Sequence, residues 1–347
     1  MPKLRLSLLA AVALAAVAAP PASAAKNDLK VMVRNVYLGA DLIPLATTPP
    51  DQFEQAAASR FQTVERNDFA TRAKALAAEI TRYKPDVIGV QESAIWRRSP
   101  DGVKDGNTTR ASQVIYDSTE VLLKELASRG QRYRVVAGRD WFDFEAPTAL
   151  GFDVRLTQRD VILGRVGSRV RFGKTFRGGF RDTFDPPTPI GVAPQNRGWV
   201  GVDAKLGKRS FRFVTTHLEA YDPAIASKQM HQLLDGPLAS KRRRSILVGD
   251  FNSDPKLGGT DDRGANRGRN AYGAALDADF FNPLKRRETC CFAEDLHVTS
   301  ERLDSWIDHV VTRPRMRAVS SARVGASQVG GLYPSDHAGI VATLRLP

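Results

Sequence analysis

The feature that most constrains this 347-residue chain is a set of short apolar runs that stop at a carboxylate, an amide or a histidine. Asp86 to Val90 (DVIGV) runs into Gln91-Glu92, Phe211 to Thr216 into His217, and Ile246 to Gly249 into Asp250-Phe251-Asn252. Asp308-His309 lies within SWIDHVV, and Ser335-Asp336-His337 precedes the run from Gly339 to Leu346. Asn35 falls late in the first run, Lys30 to Tyr37. Short apolar runs of this kind predict buried strands. Carboxylates at the ends of such strands are costly unless something pairs with them. A divalent cation is one way of satisfying a group of acids.

Between these runs the spacing turns helical. From Asp51 to Tyr83 apolar residues fall at 53, 57, 61, 64, 69, 73, 76, 77 and 80, with Asn67-Asp68 interrupting the helix or capping a second one. Lys84-Pro85 ends it. Ala111 to Arg129 is predicted as an amphipathic helix stopped by Gly130, and Asp222 to Leu238 as another helix. Tyr133–Ala137, Asp160–Arg165, Trp199–Lys205 and Ser305–Thr312 have strand character. The stretch from Ile43 to Pro50 and the Gly/Pro-rich stretches 178–198 and 255–273 are predicted loops. Helices between strands early, and strands in succession later, imply an α/β layered fold with mixed sheets. The hydrophobic share of 42% is enough for a sizeable core, and a charged share of 26% excludes a disordered chain.

Residues 1–24 read as a secretory signal peptide. Lys3 and Arg5 precede the apolar run Leu8 to Ala19, and Ala22-Ser23-Ala24 is a small-x-small cleavage site. The run is short for a membrane span. The expected mature chain, 25–347, is an exported, soluble monomer, extracellular or periplasmic. Losing Lys3 and Arg5 and no acid lowers the formal charge from +13 to +11. That balance favours anionic partners, namely nucleic acid, anionic lipid or cell wall. The only cysteines, Cys290 and Cys291, are adjacent. Restrictive bridge geometry favours two thiols over a vicinal disulfide or an intermolecular bridge.

The motifs N-x-Y in the first strand, PDVIGVQE, TTHLEA, GDFNSDP, IDHVV and PSDHAGI occur in an order and spacing that resembles the endonuclease/exonuclease/phosphatase superfamily. The resemblance runs from about Lys30 to Leu346. It implies an α/β fold, a four-layer sandwich of two mixed β-sheets face to face with helices outside, and a single catalytic domain over 25–347. It implies a metal-dependent phosphoric ester hydrolase using Mg²⁺, with Mn²⁺ or Ca²⁺ as alternatives. Carried over residue by residue, Glu92 matches the principal metal carboxylate and Asn35 the asparagine that orients the metal shell or the phosphate. Asp250 and Asn252 match the pair that positions water and the scissile phosphate, and Asp336 an acid near the metal. His337 matches a phosphate-contacting histidine, Asp308 the acid that holds it, and His217 the second histidine of the deoxyribonuclease and sphingomyelinase branches. Asp160 is the candidate partner of His217. Arg97, in Trp96-Arg97-Arg98, suits an anionic substrate.

The chemistry is coherent in its own terms. A hard cation held by carboxylates neutralises a phosphodiester as charge shifts in the transition state. The Asp308–His337 pair has the form of an oriented general base, with Asp250 as an alternative, and a protonated His217 would donate to the departing oxygen. A phospholipid phosphodiesterase is slightly favoured, because TTHLEA resembles the THxQA of that branch, with Glu219 where glutamine is usual. Peripheral membrane contact would accompany it. A non-specific nuclease fits the charge. An inositol-phosphate phosphatase lacks its extended motif here, and a binding protein on a dead scaffold would have lost site residues that are present. His231, His297 and His309 read as surface or satisfied core histidines. The run from Lys241 to Arg244 reads as solvated charge before a strand. Trp141-Phe142-Asp143-Phe144 is placed in a loop, as a membrane or base contact or as a small satellite core.

Overall fold

The first strand, β1 (Asp28–Asn35), is buried on both faces and shows how the layers arise. Leu29, Val31 and Val33 enter one apolar cluster and Met32 another, as the two-residue period of a strand requires. The structure is a computed structural model that describes residues 27–105, 110–256, 270–300 and 302–347. The expected signal peptide lies outside the described residues, as does most of the stretch 255–273.

Two helices follow β1, α1 (Phe53–Arg66) and α2 (Phe69–Tyr83), and the break between them is where Asn67-Asp68 predicts it. The Asp68 carboxylate caps α2 by accepting from the Ala70 amide. The next strand, β2 (Val87–Arg98), continues well past Val90. The predicted helix 111–129 is only half helix: β3 (Gln113–Asp117) comes first, then α3 (Ser118–Ser128). β3 pairs with the far end of β2, and Asp117 caps α3 through the amides of Thr119 and Glu120. A long hairpin follows, β4 (Tyr133–Pro147) and β5 (Asp153–Arg165). The aromatic cluster at 141–144 therefore lies on a strand, not in a loop. Phe142 and Phe144 pack inward against Phe61, Trp96 and Leu156, so the satellite-core reading describes them.

The remaining elements are β6 (Val170–Gly179), the two-residue strands β7 (Pro187–Thr188) and β8 (Gly191–Val192), β9 (Gly198–Leu206), β10 (Arg209–His217), α4 (Pro223–Asp235), β11 (Ser245–Asp250), α5 (Ala271–Asp277), β12 (Asp308–Arg313), β13 (Arg317–Val324) and β14 (Gly339–Arg345). One large sheet has the order β13-β14-β1-β2-β5-β4, with β3 added to β2, and the other β12-β11-β10-β9-β6. Their facing sides share one core, including Val33, Val202, Phe213, Val248 and Ile340. Helices α2 and α3 cover the outer side of the first sheet, and α4 and α5 that of the second. This is the expected four-layer α/β sandwich with two mixed sheets.

Topology sets where the site falls. β1 and β2 are parallel, as are β10 and β11, so Asn35, His217 and Asp250 all close the carboxyl ends of their strands. β12 and β14 run antiparallel to their neighbours, so Asp308 begins β12 and His337 lies just before β14, at the same end. The sheets approach closely there: Gln91 Nε2 donates to Thr215 Oγ1 of the opposite sheet at 2.6 Å. A Cβ at Gly89 would lie 2.5 Å from Thr215 Oγ1 and 2.6 Å from Val248 Cγ2. Gly89→Ala is therefore expected to cost about 1–3 kcal/mol by overpacking. Urea unfolding reads this as a lower midpoint at unchanged slope, and an unchanged midpoint would show that the sheets can separate freely.

Candidate active site

Register assembles the centre of the site. His217 lies opposite Asp250 across the β10–β11 pair, and Asp250 opposite Asp308 across β11–β12. Three polar residues thus form one row, at the place where each strand stops being apolar. Gly249 precedes Asp250 at φ 149°, and a Cβ there would overlap the Thr216 carbonyl oxygen, so the close approach of β10 and β11 requires glycine.

From the other sheet, β2 carries a bulge between Val90 and Ser93, and Glu92 within it has φ 57°. Bulges re-aim side chains next to active sites. The Glu92 carboxylate accepts from Asn35 Nδ2 at 2.8 Å and from the Leu38 amide at 3.0 Å. The same Asn35 Nδ2 lies 3.2 Å from Asp250 Oδ2, while Asn35 Oδ1 accepts from the Tyr37 amide at 2.9 Å. Asn35 thus ties the two carboxylates together and offers them its amide N–H, acting on the acids rather than as a ligand beside them. Asn252, also at positive φ, donates from its amide both to Asp250 Oδ1 through the backbone and to the Leu218 carbonyl through its side chain.

The histidines differ in state. His337 Nδ1 is 2.8 Å from Asp308 Oδ2, which fixes the ring and leaves Nε2 toward Asp250 Oδ2 at 3.7 Å. Burial pulls the His337 imidazole down, but Asp308, Asp336 and Asp250 together raise it well above its ordinary value. His217 Nε2 is 3.6 Å from Asp250 Oδ2. Burial, with Arg197 and His337 as cationic neighbours, lowers His217 well below its ordinary value. These directions favour a proton on His337 rather than on His217, whereas the sequence reading offered His217 as the donor and His337 as the base. Burial pushes Asp250 up to about 7, with His337 opposing and the charges of Asp308 and Glu92 adding.

Asp160 sits within β5 rather than opening a strand. Its carboxylate accepts from Trp141 Nε1 at 3.0 Å, and burial pushes it up to about 7 against the pull of Arg197. No hydrogen bond joins Asp160 to His217, whose Nδ1 has no hydrogen-bond partner, so the expected pair is not formed here. Asp336 lines the cleft next to His337, and burial pushes it up to about 6. The charge of Glu92, across the same cleft, adds to that rise. Arg97 lies five residues beyond Glu92 on the long β2, where its guanidinium donates to Thr157 Oγ1 at 2.6 Å. It does not line the cleft, because β2 continues where the sequence reading ends it.

Arg197 takes the place that Arg97 was expected to fill. It comes from the stretch before β9, is 9% exposed, and lines the cleft with its Nε 3.3 Å from Glu219 Oε2. Its only sequence signal is an arginine near the end of the Gly/Pro-rich stretch 178–198, just before a strand. Arg197→Ala is expected to raise KM and lower turnover by about tenfold, the loss of one charge-assisted contact to phosphate. Unchanged kinetics would assign Arg197 to holding Glu219 alone. Two buried arginines support the surrounding loops. Arg34 pairs with Glu79 at 3.2 Å and donates to the His337 carbonyl. Arg72 donates to the carbonyls of Val36 at 2.7 Å and Pro334 at 3.1 Å.

Glu92, His217 and Asp250 each offer a ligand atom within 4.8 Å of the others, as do Asp250, Asp308 and His337. Two carboxylates held this close, one fully buried, suit a hard divalent cation. Cys290 and Cys291 form a vicinal disulfide, not the two thiols expected, and lie against the same histidine.

The sequence that builds this site can be compared with known proteins. The sequence model described as "Endonuclease/Exonuclease/phosphatase family" matches residues 57–337, and the chain belongs to that family. Its members are metal-dependent phosphoesterases and nucleases, and this chain is a hydrolase of that class. No curated protein matches the sequence. Among solved structures, an endonuclease/exonuclease/phosphatase family protein from Leptotrichia buccalis is 16% identical with a TM-score of 0.55, over 92% of this chain and all of that one. One from Beutenbergia cavernae is 20% identical with a TM-score of 0.52, over 92% of this chain and 72% of that one. D. rerio TDP2 complexed with single strand DNA product is 17% identical with a TM-score of 0.52, over 92% and 99%. At these identities the likeness is one of fold.

Proposed function

We propose that this protein is a secreted, Mg²⁺-dependent phosphodiesterase that cleaves a phospholipid-type substrate. The observation that carries this reading is the shape of the cleft, about 390 Å³ in volume. Its floor is polar, with Glu92, His217, Asp250, Asn252 and His337. One wall is an apolar arm made of Leu42, Ile43, Leu45, Phe142, Phe144 and Leu156. An alkyl chain next to a phosphodiester matches that division, since the arm offers area and the floor offers charge. Secretion is supported by the charged start, apolar run and Ala-Ser-Ala site of residues 1–24. Among the described residues no helix is long and apolar enough to cross a membrane.

Glu92 and Asp250 would hold the cation, which when bound polarises the phosphoryl oxygens and stabilises charge in the transition state. Asn35 keeps the two carboxylates in place. Arg197 and protonated His337 attract the phosphate anion. Neutral His217 or Asp250 accepts a proton from the attacking water as its oxygen bonds phosphorus. The bond to the departing oxygen then breaks, and His337 Nε2 supplies that oxygen with a proton while Asp308 steadies the imidazole.

A nuclease is the second reading. It is favoured by the net charge of +13 and by the likeness of fold to a TDP2 that carries a single strand DNA product. The test is to incubate the protein in Mg²⁺ with phosphatidylcholine or sphingomyelin liposomes and, separately, with supercoiled plasmid, beside a His337→Ala control. Headgroup release by the wild type only, reduced about tenfold in Ile43→Asp by loss of apolar contact, supports the lipid reading. Nicking of plasmid without headgroup release would replace it with the nuclease.

A further inference from the structure

Cys290 and Cys291 are not used by the hydrolysis, yet they lie against the ring nitrogen of His337 that faces the cleft. Their Sγ atoms are 3.5 and 4.0 Å from His337 Nε2, the nitrogen that Asp308 leaves free. The placement is built into the backbone. The Cys290 amide donates to the Ser305 carbonyl at 2.9 Å, the Ala338 amide to the Thr289 carbonyl at 2.7 Å, and the Phe292 amide to the Asp336 carbonyl at 2.8 Å. The cysteine segment is thus tied on both sides to the segment that carries His337, whatever the oxidation state of sulfur. Cys290 is 2% exposed, whereas Cys291 is open to solvent and lines the cleft.

We propose that, once reduced, Cys290, Cys291 and His337 form a second metal site, for thiophilic divalent ions of the Zn²⁺ and Cd²⁺ type, and that its occupation switches the hydrolase off. One ligand atom from each of the three lies within 4.8 Å of the others. Two sulfurs and an imidazole nitrogen select borderline and soft ions, and three protein ligands leave a fourth position for water. The neighbouring carboxylates of Glu92 and Asp250 select hard ions instead. The two sites therefore discriminate by ligand chemistry, and the second site competes with the hydrolysis for His337. The redox step is balanced. The disulfide takes two electrons from a phosphine, which becomes the phosphine oxide with the oxygen of one water, and the two protons of that water complete the two thiols. Entry of the ion then releases one proton from each sulfur and the Nε2 proton of His337 as the three atoms bind it. Inhibition rests on the phosphodiesterase reading; the binding of the ion does not.

The experiment is a Cd²⁺ titration of the full chain, reduced with a phosphine, followed by the thiolate-to-metal charge-transfer absorption and by hydrolysis in excess Mg²⁺. Reduced wild type should develop the band to an end point of one ion per chain and lose activity in step with it. Oxidised wild type and Cys290→Ser/Cys291→Ser should show neither effect. Cys291→Ser, altered only at the exposed sulfur, serves if the double variant does not fold. His337→Ala should bind Cd²⁺ about tenfold more weakly, as expected when a metal site loses one of its supports. Absence of the band in reduced wild type, or equal Cd²⁺ affinity in His337→Ala, would overturn the site. Equal inhibition of wild type and Cys290→Ser/Cys291→Ser would place the inhibitory ion at the carboxylates and overturn the switch. If no substrate is hydrolysed, the band alone decides the site.

Discussion

His337→Ala and Asp250→Ala are each expected to lower turnover by about 100-fold or more, the scale of a lost acid-base group. The two losses should be far from additive, because the groups belong to one network: His337 Nε2 and His217 Nε2 both face Asp250 Oδ2, at 3.7 and 3.6 Å. A double variant close to the worse single variant is the expected outcome. Asp308→Asn is a milder version of the same experiment. It removes the first of the charges that raise His337, so the imidazole should lose its proton at lower pH and the alkaline limb of the pH–rate profile should move down. A shift in the opposite direction would contradict the assignment of His337 as proton donor. Circular dichroism must accompany these variants, since His337→Ala leaves Asp308 buried without its 2.8 Å partner. A mild effect of both alanine variants on correctly folded protein would mean that the chemistry lies elsewhere.

Chelation should abolish activity, and Mg²⁺ should restore it. Glu92 and Asp250 are joined through one asparagine amide, and burial already holds Asp250 at about 7. Folding the metal-free chain at neutral pH therefore forces like charges together in a poorly solvated place, which a cation relieves. The pH sign follows. A carboxyl raised from 3.8 to about 7 binds its proton more tightly folded than unfolded. Its contribution is fully present below the unfolded value and is lost as pH rises through the folded one. The gap in thermal midpoint between Mg²⁺ and EDTA should accordingly widen from pH 5 to pH 8, because only ionised carboxylates bind the ion. Glu92→Gln should move the Mg²⁺ titration of activity to concentrations about tenfold higher or more. Full activity in EDTA would remove the metal from the mechanism. A Glu92→Gln titration that coincides with the wild type would remove Glu92 from the metal site.

What the sequence by itself determined was a set of apolar runs with polar clusters at or beside their ends. Within those clusters, the resemblance to the family singled out Asn35, Glu92, His217, Asp250, Asn252, Asp308 and His337. The order of helices and strands likewise implied layers, and the Asn67-Asp68 break appeared where its capping chemistry put it. The tertiary structure alone decided how far each strand runs and what meets across the gap. β2 extends past Glu92 because β5 and β3 are there to pair with it, and that extension carries Arg97 away from the cleft. Residues 113–117 became a strand for the same reason, against a helical apolar period. Arg197 entered the site, and Asp160 turned to Trp141, through contacts that span many residues of chain. The directions in which the two histidines are shifted, His217 down and His337 up, depend on which charges sit nearby and how deeply each ring is buried. Those are sums over neighbours from several strands, and a local pattern does not contain them.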